Sequence, residues 1–72
     1  MTDAARLVHS DPEIVGGTPV FVGTRVPVRA LIDYLEAGHP LDDFLEDFPS
    51  VTRAQAVGSL ELARDALLRA AA

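Results

Sequence analysis

The sequence predicts a mainly α fold: a three-helix, helix-turn-helix-like bundle behind a short N-terminal β region, in one domain of 72 residues. Three observations lead there. The hydrophobic pattern changes from period two to period 3.6 between Gly16 and Val28. Three successive 3.6-period stripes follow it. The connections between those stripes are only a few residues long, as in a compact helical unit. The boundary falls near residues 26 and 27, with residues 7–26 as the β region and 27–71 as the bundle.

The β region holds one or two short strands or a hairpin. Arg6, Leu7, Val8 and His9 can form a strand, and Ser10, Asp11, Pro12 and Glu13 read as a turn. Ile14 and Val15, then Val20, Phe21 and Val22, are apolar runs on either side of Gly16, Gly17, Thr18 and Pro19, a connection of hairpin type. Pro19 cannot donate to a ladder and belongs on an edge or at a strand's first residue. Gly23 makes a second turn. Pro27 presets the φ of a first helical turn and gives up an N–H that would be orphaned there. Between them, the Thr24 hydroxyl can accept a backbone N–H, and the Arg25 guanidinium can tie the joint to a carboxylate or to backbone carbonyls. Gly16, Gly17, Gly23, Thr24, Arg25 and Pro27 are therefore expected to form a structural joint.

The first helix is expected over residues 27–37. Val28, Leu31, Ile32 and Leu35 make its apolar stripe, Arg29, Asp33 and Glu36 point away, and Gly38 follows its end. The second is expected over residues 41–48, with Leu41, Phe44, Leu45 and Phe48 inward. Asp42 and Asp43 stand in its first turn, where the macrodipole favours them, and Pro49 ends it. The third opens on a capping box, Thr52 with Gln55, and runs to about residue 70. It carries two stripes: Ala56, Val57, Leu60, Ala63 and Leu67, then Gly58, Leu62 and Ala66. A helix with two apolar faces is central to a core, or packs on its own domain and on a partner.

Composition narrows the function. The net charge is −5 and every basic residue is Arg, which argues against strong sequence-independent nucleic-acid binding by the monomer and leaves DNA binding open to a symmetric dimer or to a complex with a basic partner. There is no Cys, hence no disulfide and no thiolate metal site. No signal peptide and no membrane-length apolar run is present, and a cytoplasmic protein is expected. His9 and His39 lack metal-ligand spacing, and Asp42, Asp43, Glu46 and Asp47 read as a solvated acidic helix face. No nucleophile–base pair and no phosphate loop can be assembled, so neither an enzyme nor a cofactor is expected.

Binding remains. In a helix-turn-helix the last helix reads the major groove with its N-terminal residues, which makes Arg53, Gln55 and Ser59 the candidates for base contact. Nearly half the residues are apolar, more than a small monomer readily hides, so a homodimer is expected. Its candidate contacts are Leu7 and Val8 of the first strand and Gly58, Leu62 and Ala66 of the last helix.

The run from Asp11 to Val28 (Asp-Pro-Glu-Ile-Val-Gly-Gly-Thr-Pro-Val-Phe-Val-Gly-Thr-Arg-Val-Pro-Val) closely resembles the signature of the bacterial "domain of unknown function 433" family. The Ala37-Gly38 helix end, the acidic helix closing on Phe48-Pro49 and the Val51-Thr52 helix start resemble it too, so the likeness covers residues 8–67. The resemblance implies a VapB-like antitoxin of a type II toxin–antitoxin pair, one that occludes a PIN-like nuclease toxin and represses its own operon by binding operator DNA. Many antitoxins add a flexible C-terminal tail, whereas this sequence ends with its third helix. Arg64 and Arg69, near that end, are the candidates for insertion into a carboxylate-lined nuclease site. The alternative is a stand-alone protein-interaction or scaffold module of the same fold with no DNA-binding role.

Overall fold

A computed structural model describes residues 7–10, 12–13 and 15–71. Its elements are β1 (Val8–His9), β2 (Val20–Phe21), α1 (Val28–Glu36), α2 (Leu41–Asp47) and α3 (Arg53–Ala70).

β2 is the centre of the fold although it has two residues. Successive side chains of a strand point to opposite faces, and both Val20 and Phe21 are fully buried, so the strand is covered on both sides. Both its edges are bonded as well. β1 pairs antiparallel along one, Val8 opposite Phe21 and His9 opposite Val20, and Val22 N–H donates to Leu7 O at 2.9 Å. On the other edge Phe21 N–H donates to Val26 O and Val28 N–H to Pro19 O, both at 3.0 Å, around a bridge between Val20 and Pro27.

This arrangement corrects the hairpin expected across Gly16 to Pro19. Val15–Gly17 is a short 3-10 segment broken at Gly16 (φ 64°), with Gly17 also in the left-handed region (φ 87°), and β2 pairs with the earlier segment at Val8 instead. Arg6, Asp11 and Ile14 lie outside the described residues. Pro27 is also displaced by one position: it is the N-cap of α1, with an extended ψ of 141°, because it still belongs to the ladder on β2.

α1 ends as its sequence predicts. Gly38 has φ 89°, its N–H reaches Leu35 O, and His39 N–H reaches back to Tyr34 O, the two bonds of a Schellman cap. Its buried side differs in detail. Leu31 is fully buried, and Ala30 and Tyr34 join Val28 and Leu35 against the core, whereas Ile32 is 38% exposed. α2 follows after Pro40 and lays Phe44 into the core, 6.2 Å from Phe21 and 4.9 Å from Phe48 between ring centres.

α3 begins with the expected capping box: Gln55 N–H donates to Thr52 Oγ1 at 3.1 Å and Thr52 N–H to Gln55 Oε1 at 3.0 Å. The buried cluster is Phe21, Leu31, Phe44, Val51 and Ala56, with part-buried apolar side chains around it. Leu60 is the last residue of α3 to touch it.

A domain of this size has a stability of about 5 kcal/mol, the low end of the usual range. Phe44→Ala, at the meeting point of β2, α1 and α2, should remove about 3–5 kcal/mol, most of that stability, and bring the midpoint of a urea titration close to zero denaturant. Leu67→Ala should shift the same transition by no more than about 0.5 kcal/mol.

Candidate functional site

α3 divides into two parts. Ala56, Gly58 and Ser59 are buried and residues 60–62 are half-buried. Every residue from 63 to 70 is exposed, Leu67 at 69% and Leu68 at 65%. The core-side positions Ala56, Ser59 and Leu60 continue at helical spacing as Ala63, Ala66, Leu67 and Ala70. The buried face of α3 thus runs on past the body of the domain with nothing against it among the described residues. Arg69 borders this face, one turn after Ala66. Its guanidinium has no ion pair among the described residues, whereas Arg64 pairs with the adjacent Asp65 at 3.1 Å.

The predicted DNA-reading residues are placed differently from the expectation. Gln55 uses its Oε1 in the capping box and its Nε2 to donate to Val22 O at 2.8 Å, binding α3 to the turn after β2. Ser59 is 9% exposed and donates to Gln55 O at 2.8 Å, a back-bond within the helix. Both polar groups are committed to the fold, so neither can meet a base edge without undoing it. Arg53 is exposed but paired with Asp42 of α2. A groove reached by this helix end would bring the acidic α2 face to the phosphates.

The dimer candidates separate in the same way. Gly58 is buried within the domain and Leu62 half-buried, so of that face Ala66 alone is exposed. Leu7 and Val8 are half-buried, and Val8 packs on the core cluster. The apolar residues that α3 does expose were hidden to pattern reading, because a heptad-like run looks the same whether or not the body of the domain reaches its far end.

In the joint, Thr24 behaves as expected. Its N–H and Oγ1 both donate to Phe21 O (3.0 and 2.9 Å), and Oγ1 accepts from Val26 N–H at 3.0 Å. Gly23, at φ 79°, makes the turn possible. Arg25 corrects the expectation. It is exposed on this rigid turn, and its guanidinium has no partner among the described residues, because Thr24 and Gln55 already satisfy the carbonyls at Phe21 and Val22.

At the other end of the bundle Tyr34 packs edge-on against Phe44 and Phe48 and donates to Asp47 Oδ2 at 2.7 Å. That hydrogen bond, with partial burial and the charges of Asp47 and Asp43, raises the phenol above its ordinary value of 10.0. Among the described residues no three His, Cys, Asp or Glu side chains come together to hold a metal ion, and no helix is long and apolar enough to cross a membrane.

Two predictions follow from this geometry. Arg25→Ala should leave the melting temperature within about 2 °C of the parent, whereas Gln55→Ala, which removes the tie to Val22, should lower stability by about 1–2 kcal/mol. The sole tyrosine also permits a clean ultraviolet titration. Phenolate absorbance should rise with a midpoint above 10, and Asp47→Ala should return it towards 10. The folded value is the raised one, so the stability from this bond is complete below about pH 10 and is lost as pH rises through the folded value.

Comparisons with known proteins agree with the fold. Residues 8–63 match the family described as protein of unknown function DUF433. The uncharacterized protein y4eO of Sinorhizobium fredii is 48% identical over 48 residues, which is 67% of this chain and 22% of that protein. The crystal structure of a DUF433 member protein from Anabaena variabilis superposes with a TM-score of 0.72 at 23% identity, over 83% of this chain and 59% of that one. The chain therefore spans about a fifth of the curated relative and three-fifths of the solved chain. The family match stops at residue 63, where α3 leaves the core. With three-quarters of its length in that match, the chain belongs to the DUF433 family.

Proposed function

We propose that this protein is a partner-binding domain acting as the antitoxin of a type II toxin–antitoxin pair in the cytoplasm. Its partner is a PIN-like nuclease, and the binding element is the far half of α3. The observation that carries the reading is the exposure of residues 63–70, a helical segment that continues a buried face into solvent. Its first half is fixed in the core, so only the last turns have to be ordered on docking, and an apolar stripe at i, i+3, i+4 and i+7 is what a groove-binding helix presents.

The proposed surface is Ala63, Ala66, Leu67 and Ala70, with Arg69 at its border. Nuclease sites of this type are rings of carboxylates that hold a divalent metal. A guanidinium pairs with a carboxylate bidentately, so Arg69 can compete with the metal for its ligands. Arg64 is the second candidate because it lies farther from the end of α3. The competing explanation is that Arg69 complements the helix macrodipole in the last turn; substitution distinguishes the two.

The second reading, a stand-alone interaction module with no DNA-binding role, is supported by the engagement of Gln55 and Ser59 inside the fold. It shares the α3 surface and differs in the partner. Both readings meet one experiment, purification of the chain with the product of the neighbouring reading frame and assay of that product's nuclease activity. The antitoxin reading expects a complex and loss of nuclease activity, with Leu67→Asp and Arg69→Ala each weakening inhibition at least about tenfold, or 1.4 kcal/mol. Absence of a complex refutes the antitoxin reading. Full inhibition by both variants refutes the assigned surface.

A further inference from the structure

We propose that the other side of α3 is a self-complementary seam through which two copies of this chain pair antiparallel. The inference goes beyond the partner surface above and does not rest on it. Val57, Glu61, Arg64 and Leu68 stand at i, i+4, i+7 and i+11, which places them on one line along the helix. Val57 is 37% exposed, Leu68 65% and the Arg64 side chain 63%, while Glu61 is half-buried.

The order along this line is apolar, acidic, basic, apolar. Residues 57 and 68 are equidistant from a point between residues 62 and 63, and so are residues 61 and 64. A two-fold axis through that point sets Val57 of one copy against Leu68 of the other and Glu61 against Arg64, each contact occurring twice. This is the condition for an isologous interface. A parallel pairing in register would place Arg64 against Arg64 and Glu61 against Glu61, so charge selects the antiparallel arrangement.

The Asp65 bond does not prevent it. That pair is exposed on both sides, 63% and 51%, and exposed ion pairs hold their partners weakly. The seam is about 16 Å long at 1.5 Å per residue, and it leaves Ala63, Ala66 and Ala70 on the other side of the helix, with Leu67 at its flank. A contact this small lies at the low end of specific interfaces, so the pair is a weak dimer with a dissociation constant on the order of tens of micromolar. It replaces Gly58 and Leu62 as the dimer contacts of α3.

The test is sedimentation equilibrium from about 1 to 500 μM, which spans that affinity, with folding checked by circular dichroism. The parent should pass from monomer to dimer across the range. Arg64→Glu alone and Glu61→Arg alone should each weaken dimerisation at least tenfold, since each creates like-charge contacts. An equimolar mixture of the two variants restores opposite charges at both contacts, and it should form a heterodimer within a few-fold of the parent's affinity. Leu68→Asp, at an exposed position that folding does not need, should also give a monomer. A parent that is monomeric throughout, a mixture no tighter than its components, or an undiminished Leu68→Asp dimer overturns the proposal.

Discussion

The burial of β2 is the constraint on which the structure depends. A two-residue strand has almost no stability of its own, and this one is held because both faces and both edges are occupied. β1 lies along one edge and the Val26 to Val28 segment along the other. Phe21 carries the contact onward to Phe44 of α2. The second edge also fixes where α1 begins, since Val28 N–H, the first of the helix, is bound to Pro19 O across the strand. Gln55 then ties the start of α3 to Val22, the residue that follows β2. Three helices are thus indexed to one pair of buried residues, a way for a short chain to fix its architecture with few long-range contacts.

The same economy leaves α3 too long for its domain. Leu60 is the last of its residues packed on the core cluster, and from residue 63 on the helix is exposed. Capping, alanine content and hydrogen bonds within the helix keep the remainder helical in isolation only marginally. The proposed association, with a partner on one side and a second copy on the other, would give that length a physical reason. The side-chain hydrogen bonds of Thr24, Gln55 and Ser59 serve the fold. The arginines follow the same division: Arg29 and Arg53 pair with carboxylates on their own or a neighbouring helix, whereas Arg25 and Arg69 stand at the surface without such a pair among the described residues.

Much of this architecture was legible in the sequence, because local signals and tertiary structure agreed. The capping box at Thr52, the Gly38 helix end and the acidic first turn of α2 each use chemistry confined to four or five residues. The pairing of β2 was not legible, because two glycines at positive φ can close a hairpin or end a segment, and the choice depends on what reaches the other edge of Phe21. Gln55 and Ser59 looked like base-reading residues because their polarity at a helix start is visible in sequence, while the carbonyls they bond, at Val22 and at Gln55 itself, are not. The exposure of Leu67 and Leu68 was invisible for a related reason. A periodic stripe records which face is apolar, and where the body of the domain stops depends on the packing of Leu31, Phe44 and Val51, far away in the chain.

The central claim is that α3 changes at residues 60–63 from a helix held by its own core to one held by association. Residue-resolved amide hydrogen exchange tests this most directly, because protection reports local opening. In dilute protein, protection should match global unfolding at Ala56 and Leu60 and fall steeply between Arg64 and Ala70. It should rise in that far segment alone when the protein is concentrated or bound to its partner. Uniform protection along the whole of α3 in dilute monomer would contradict the account.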